Sequence, residues 1–265
     1  MRKLMKYELR CTARIMLPVY ALTLVLGGMC ALFYALSNRY ESDFVDVFNG
    51  ILIFVFITSV IAALVLSGVI MVYRFYKNLM TDEGYLTFTL PVSTHAILLS
   101  KLLTAVIWSV ATALCALASV FLATFQVEDI WADFPQAWRE LLWITELSSA
   151  RAVLFALELA VLLLLSSVAS YLLFYAAISL GHSFSNHKIL LSVVFYFAFT
   201  TGLRTLTSVF ALIGGVNLLP EEAIFWDVDA LLNGMLMISI GFSAIEIAGF
   251  YILTYFMLKK RLNLQ

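Results

Sequence analysis

Charge is what this sequence has least of. Asp, Glu, Lys and Arg together make up 12% of its 265 residues, against about 25% in an ordinary soluble domain. A chain this poor in charge lacks the polar surface to cover a water-exposed fold of its size. Its formal net charge of −1 also excludes the basic footprint that nucleic-acid binding demands, so no nucleic-acid partner is expected. Cysteine is sparse as well. Cys11, Cys30 and Cys115 are odd in number and scattered, which excludes a disulfide framework and metal-ligand spacing; they read as small packing residues. No glycine is followed by lysine, so the loop that cradles nucleotide phosphates is missing. No HExxH is present, and no repeat of 20–50 residues is visible.

What the sequence has instead is apolar residues, 63% of the chain, with a mean hydropathy of +1.00. They fall into continuous runs between charged breaks. A membrane-crossing helix needs about 20 apolar residues, and six runs qualify: roughly 15–37, 49–73, 96–125, 150–181, 189–213 and 231–258. Continuous rather than alternating runs predict helices, not a β-barrel. The expected fold is an all-α integral membrane protein, with 1–265 as a single transmembrane domain. The run from Ile15 to Leu36 exceeds a signal-peptide core of roughly 7–15 residues, so it reads as an uncleaved span.

Orientation follows from the basic residues. Twelve of the sixteen lie on one side: Arg2, Lys3, Lys6, Arg10, Arg14, Arg74, Lys77, Lys101, Lys188, Lys259, Lys260 and Arg261. Excess Lys and Arg mark the cytoplasmic side, which places both termini inside the cell. Twelve of the seventeen acidic residues and four of the five tryptophans (Trp131, Trp138, Trp143, Trp226) fall on the other side or its edges, as interfacial anchors would.

Several segments are not simple spans. Residues 1–13 form an amphipathic helix on paper, with Arg2, Lys3, Lys6 and Arg10 opposite Met1, Leu4, Met5, Leu9 and Thr12, and Glu8 as the misfit. It would lie along the membrane surface, unless the segment is only a basic flank that fixes topology. The loop over 73–93, YRFYKNLMTDEGYLTFTLPVS, is expected to hold a short helix ended by Gly84. Pro91 would extend the approach to the next span. Such a helix would expose Phe75, Tyr76 and Leu79 unless a partner covers them or they lie at the membrane interface. The segment WADFPQAWRELLWI, 131–144, has the 3–4-residue spacing of a helix on the outer surface. Residues 213–229 turn from apolar to acidic and are read as a segment that dips into the membrane and returns.

Three charges lie inside spans: Glu158, Arg204 and Glu246. A charge at such depth costs several kcal/mol unless paired, and suggests function. Glu158 is placed roughly 12 Å below the outer end of its span and Arg204 about 13–14 Å below its own, which makes an ion pair between them plausible. Glu246 has no evident partner. Either these residues dock helices, or they form a polar path or latch. Intramembrane catalysis is not expected. Gly241-Phe-Ser243-Ala resembles a rhomboid protease motif, but all three histidines precede it and none can serve as the required downstream base. Glu221-Glu222 resembles the start of a CAAX-protease motif, but Trp226 stands where arginine is needed. The expected catalytic and metal residues are none.

The segment DEGYLTFTLPVSTHAILLSKLL, 82–103, and the ending LKKRLNLQ, 258–265, resemble the small six-span permease subunits of bacterial exporter-class (type-2) ABC transporters. The resemblance extends over the whole chain in plan and is specific over 82–103. It implies an outward transporter of the bacterial cytoplasmic membrane, working by alternating access. A separate cytoplasmic ATPase subunit would bind ATP and Mg, leaving no cofactor in this chain. A short coupling helix before Gly84, with Phe75, Tyr76, Lys77, Leu79, Asp82, Glu83 and Gly84, would dock that ATPase, and the N-terminal surface helix would lie beside it. A second permease copy or paralogue would complete the path, with spans two and five lining it, membrane lipids around it and 213–229 at its outer gate. Weakly charged, aromatic-rich spans suit an amphipathic drug, peptide or lipid-like cargo. Two other functions fit the same residues: an ion- or proton-coupled carrier using Glu158 and Glu246, and a non-transporting scaffold or sensor that docks a cytosolic partner.

Overall fold

The computed structural model describes residues 2–39, 43–89, 91–125, 127–144, 149–184, 186–217 and 228–260. Among them every regular element is an α-helix: α1 (Arg2–Ser37), α2 (Asp43–Met80), α3 (Glu83–Thr89), α4 (Thr94–Thr124), α5 (Glu128–Ile144), α6 (Ser149–Gly181), α7 (Lys188–Asn217) and α8 (Val228–Lys260). Six of these, α1, α2, α4, α6, α7 and α8, are long and apolar enough to cross a membrane. The chain is therefore an all-α, multi-pass membrane protein.

The helices outrun the spans. α2 has 38 residues and is about 57 Å long at 1.5 Å per residue, whereas the hydrocarbon core is about 30 Å thick. Its first turn carries Asp43 and Asp46 and its last carries Lys77, each the sign that complements the helix dipole. The expected surface helix over 1–13 is not a separate element, because α1 runs unbroken from Arg2 to Ser37. Nothing in Cys11-Thr12-Ala13-Arg14 interrupts a helix, and Pro18 is accommodated within it. Lys3, Lys6 and Arg10 are exposed, Leu4, Met5, Glu8 and Leu9 are half-buried, and Thr12 is fully buried. Residues 131–144 are helical as part of α5. Of the 213–229 segment, α7 continues to Asn217, and 218–227 lie outside the described residues.

By contacts the chain divides into two compact units: Met1–Met71 with Leu103–Trp138, and Val72–Leu102 with Arg139–Gln265. The first unit is knitted by buried polar groups. The Thr112 hydroxyl meets the Tyr20 hydroxyl at 2.6 Å, donates to the Ser67 oxygen at 3.0 Å and so joins α1, α2 and α4. Hydrogen bonds between membrane helices contribute about 0.6–2 kcal/mol each. Near the other end of α1, a Cβ on Gly27 would come within 2.6 Å of the Ser119 carbonyl oxygen. Glycine there lets α1 and α4 touch at backbone distance. Cys30, Leu52 and Phe56 form an apolar cluster beside this contact.

In the second unit α6 packs against α7 and α8. Aromatic pairs record the register. Phe174 stacks on Tyr196 at 4.6 Å between α6 and α7, and Phe199 meets Phe250 edge-on at 5.4 Å between α7 and α8. The end of α2 joins this unit through Phe75, which is fully buried and stacked on Tyr175 at 3.8 Å and 8°.

Candidate functional site

The segment singled out by the sequence is built differently from the expectation. Phe75 and Leu79 are not exposed: both are 0% accessible. They continue a buried stripe along α2 through Leu52, Phe56, Ala63, Ser67 and Met71, spaced by four or seven residues so that one face of the helix is covered from Leu52 to Leu79. Tyr76 is half-buried with its ring edge-on to His182 at 5.4 Å. The short helix begins before Gly84 rather than ending at it. The Gly84 amide donates to the Thr81 carbonyl and the Tyr85 amide to that of Asp82, so Gly84 sits buried in the first turn of α3.

The exposed apolar residues are others. Leu86 is 73% exposed and Tyr85 51%. α3 that presents them is tied down on both flanks. Thr87 donates its hydroxyl to the Asn78 carbonyl at 3.1 Å, and Lys77 pairs with Glu83 at 3.3 Å. That pair is half in water, so it orients more than it stabilises. Asp82 is exposed beside it. After Pro91, Ser93 caps α4 by accepting from the Ala96 and Ile97 amides. His95 then reaches α8: its ring stacks on Tyr255 at 3.7 Å, and its Nδ1 lies 2.9 Å from the Tyr251 hydroxyl. Sequence reasoning passed over Leu86, Tyr85 and these contacts of His95.

The intramembrane charges do not assemble. Glu158 is half-buried on α6, Arg204 exposed on α7, and Glu246 half-buried on α8. No ion pair among the described residues joins Glu158 to Arg204. The register explains why. Phe174 lies level with Tyr196, and Gly181 lies against Ser192, so the antiparallel helices place Glu158 and Arg204 about 12–16 Å apart along the axis. Glu246 lies between Phe242 and Phe250, which face Phe210 and Phe199 of α7.

An open cleft of about 840 Å³ lies where the end of α2 meets the α6–α7 turn, with Tyr76, Thr81, His182, His187 and Lys188 among its walls. His182 is 5% exposed and its Nδ1 lies 2.9 Å from the Ile178 carbonyl oxygen. Burial pushes its pKa below the ordinary histidine value and the nearby Lys188 charge adds to this, against the opposing bond to Ile178. The folded state therefore holds the proton less tightly than the unfolded chain, so stability falls as pH drops below about 6.5. The expected result is a melting temperature that declines between pH 7.5 and 5.5, with a shallower decline in His182→Asn. An unchanged slope in that variant would assign the decline to other groups. With three histidines in the chain, ring-nitrogen NMR can follow the site directly.

Comparison of the chain with protein-family models, with curated proteins and with solved structures finds no match.

Proposed function

We propose that this chain is the membrane-spanning permease of a bacterial ATP-driven exporter of the ABC type, with both termini in the cytoplasm. It would move an amphipathic small molecule, peptide or lipid-like cargo outward. One observation carries the reading: between two spans the chain builds a short helix that is anchored on both flanks yet keeps Leu86 73% exposed. A fixed helix with an exposed apolar face is suited to dock in a groove of a partner. The resemblance of 82–103 to exporter permeases supplies the kind of partner, an ATPase carrying the phosphate loop that this chain lacks. Asn78 and Lys77 would pass a displacement of α3 to α2, and His95 would pass it to α8 through Tyr251 and Tyr255. Two helices loaded from one docking point provide a lever for alternating access. Glu246, set between two phenylalanines on α8, favours the proton-coupled carrier as the second reading.

Leu86→Asp places a charge where the docking face is most exposed. Losing one central apolar anchor costs about 2 kcal/mol or more, roughly 30-fold in affinity. Pull-down of the tagged chain from native membranes is expected to recover ATP hydrolysis, and Leu86→Asp to lose most of it at unchanged expression. Transport that ignores ATP and follows a proton gradient would sink the proposal and leave the carrier.

A further inference from the structure

The cleft at the α6–α7 turn is polar at one end and apolar at the other. We propose that it seats one phospholipid with an anionic headgroup. The polar end is formed by Tyr76 and Thr81 from the end of α2 and by His182, His187 and Lys188. These residues lie at and just beyond the ends of three membrane-crossing segments, which stop at Met80 and Gly181 and resume at Lys188. Lys188 and the two histidines, polar groups at a turn between two apolar helices, suit the headgroup layer. The apolar end is a stripe on α7: Ile189, Leu190, Val193 and Val194. The spacing puts all four on one helical face, and they are 50–66% exposed. From Lys188 the stripe runs about 9 Å down the helix, into the acyl-chain region.

Charge selects the headgroup. Among the described residues, the titratable groups in the cleft wall are Tyr76, His182, His187 and Lys188, with no carboxylate. Asp82 and Glu83 follow Thr81 in the chain, but Glu83 is engaged by Lys77 and neither lines the cleft. A phosphate bearing a net negative charge is favoured there over a zwitterion, as basic residues at a membrane surface favour anionic lipids. The volume, about 840 Å³, lies within the range of sites that enclose a small ligand. His187 adds a further mark. It holds a left-handed backbone, φ 54°, a region that histidine enters more readily than most non-glycine residues, and this turns the chain at the lip of the cleft. A lipid held here would brace the end of α2 against the α6–α7 turn, one turn before the helix that presents Leu86.

The test uses the purified full-length chain in detergent, delipidated and titrated with phosphatidylglycerol, phosphatidylcholine or inorganic phosphate. Retention is read by native mass spectrometry and melting temperature. Phosphatidylglycerol is expected to remain bound as one molecule and to raise the melting temperature. Phosphatidylcholine should bind about tenfold more weakly, and inorganic phosphate should do neither. His187→Asp, which keeps a residue type tolerant of the left-handed backbone, is expected to weaken phosphatidylglycerol retention about tenfold. Val193→Trp fills the apolar end without touching a charge and should weaken both lipids. Equal retention of the two lipids, a shift produced by inorganic phosphate alone, or unchanged retention in both variants would each overturn the assignment.

Discussion

Phe75→Ala is expected to destabilise the folded chain by about 3–5 kcal/mol, the range for truncating a buried phenylalanine. In a protein of this size that lowers the melting temperature by about 10 °C. The reason is its place rather than its type. Phe75 has no accessible surface, and its ring lies on that of Tyr175, itself 1% exposed. Leu79 and Leu172, about one turn away from the pair along α2 and α6, are also at 0%. Removing the ring would leave a cavity walled by α2 and α6, which the long rigid helices cannot close. Leu86→Asp provides the contrast. Leu86 is 73% exposed, so the melting temperature should move by no more than about 1 °C, within the usual range of surface changes. Melting curves of the two variants in detergent separate the roles. If Phe75→Ala melted like the parent but lost its ATPase, Phe75 would be a docking residue after all, as the sequence alone suggests.

That contrast shows what a single sequence can carry here. Long apolar runs bounded by charges locate the membrane-crossing helices, because water-to-lipid transfer dominates every other preference at that length. The runs end too early, however. Arg74 and Lys77 look like the exit from the membrane, but the helix continues past them to Met80. The same two charges hide the fact that Met71, Phe75 and Leu79 keep the four-residue phase of the buried stripe. Reading that phase through the charges would have marked Phe75 as covered and left Leu86 as the exposed residue.

Long-range placement is less legible. The expected Glu158–Arg204 pair assumed equal depth from estimated span ends, and the register set by Phe174–Tyr196 and Gly181–Ser192 shifts them apart by about 12–16 Å. The cleft walls come from Tyr76–Thr81 and His182–Val194, a hundred residues apart, with no periodic signal linking them. The hydrogen bonds from Tyr20 to Thr112 and on to Ser67 are equally silent in the sequence. Each hydroxyl by itself reads as a small polar residue in a span.

The second large effect is expected at Gly181, where α6 hands over to α7. A Cβ built there would stand 2.5 Å from the Ser192 amide nitrogen and closer still to its hydroxyl. Contacts below 3.0 Å to backbone cannot be relieved by turning a side chain; α7 itself must move. Overpacking of this kind costs about 1–3 kcal/mol, and more when the neighbour is rigid. Ser192 is held by its hydroxyl donation to the Lys188 carbonyl and lies 3.5 Å from His182 Nδ1, so a displaced α7 would also disturb the cleft wall. Gly181→Ala should lower the melting temperature by several degrees, and Gly181→Val should leave little folded protein to recover. Ser192→Ala, which removes the hydroxyl but not the backbone, should restore only a small part of the loss in the Gly181→Ala background. Full restoration would mean that the side chain, not the backbone, sets how closely α6 and α7 approach. A Gly181→Val variant that purified and melted like the parent would show that the two helices do not meet at backbone distance, and the register deduced from Gly181–Ser192 would fall with it.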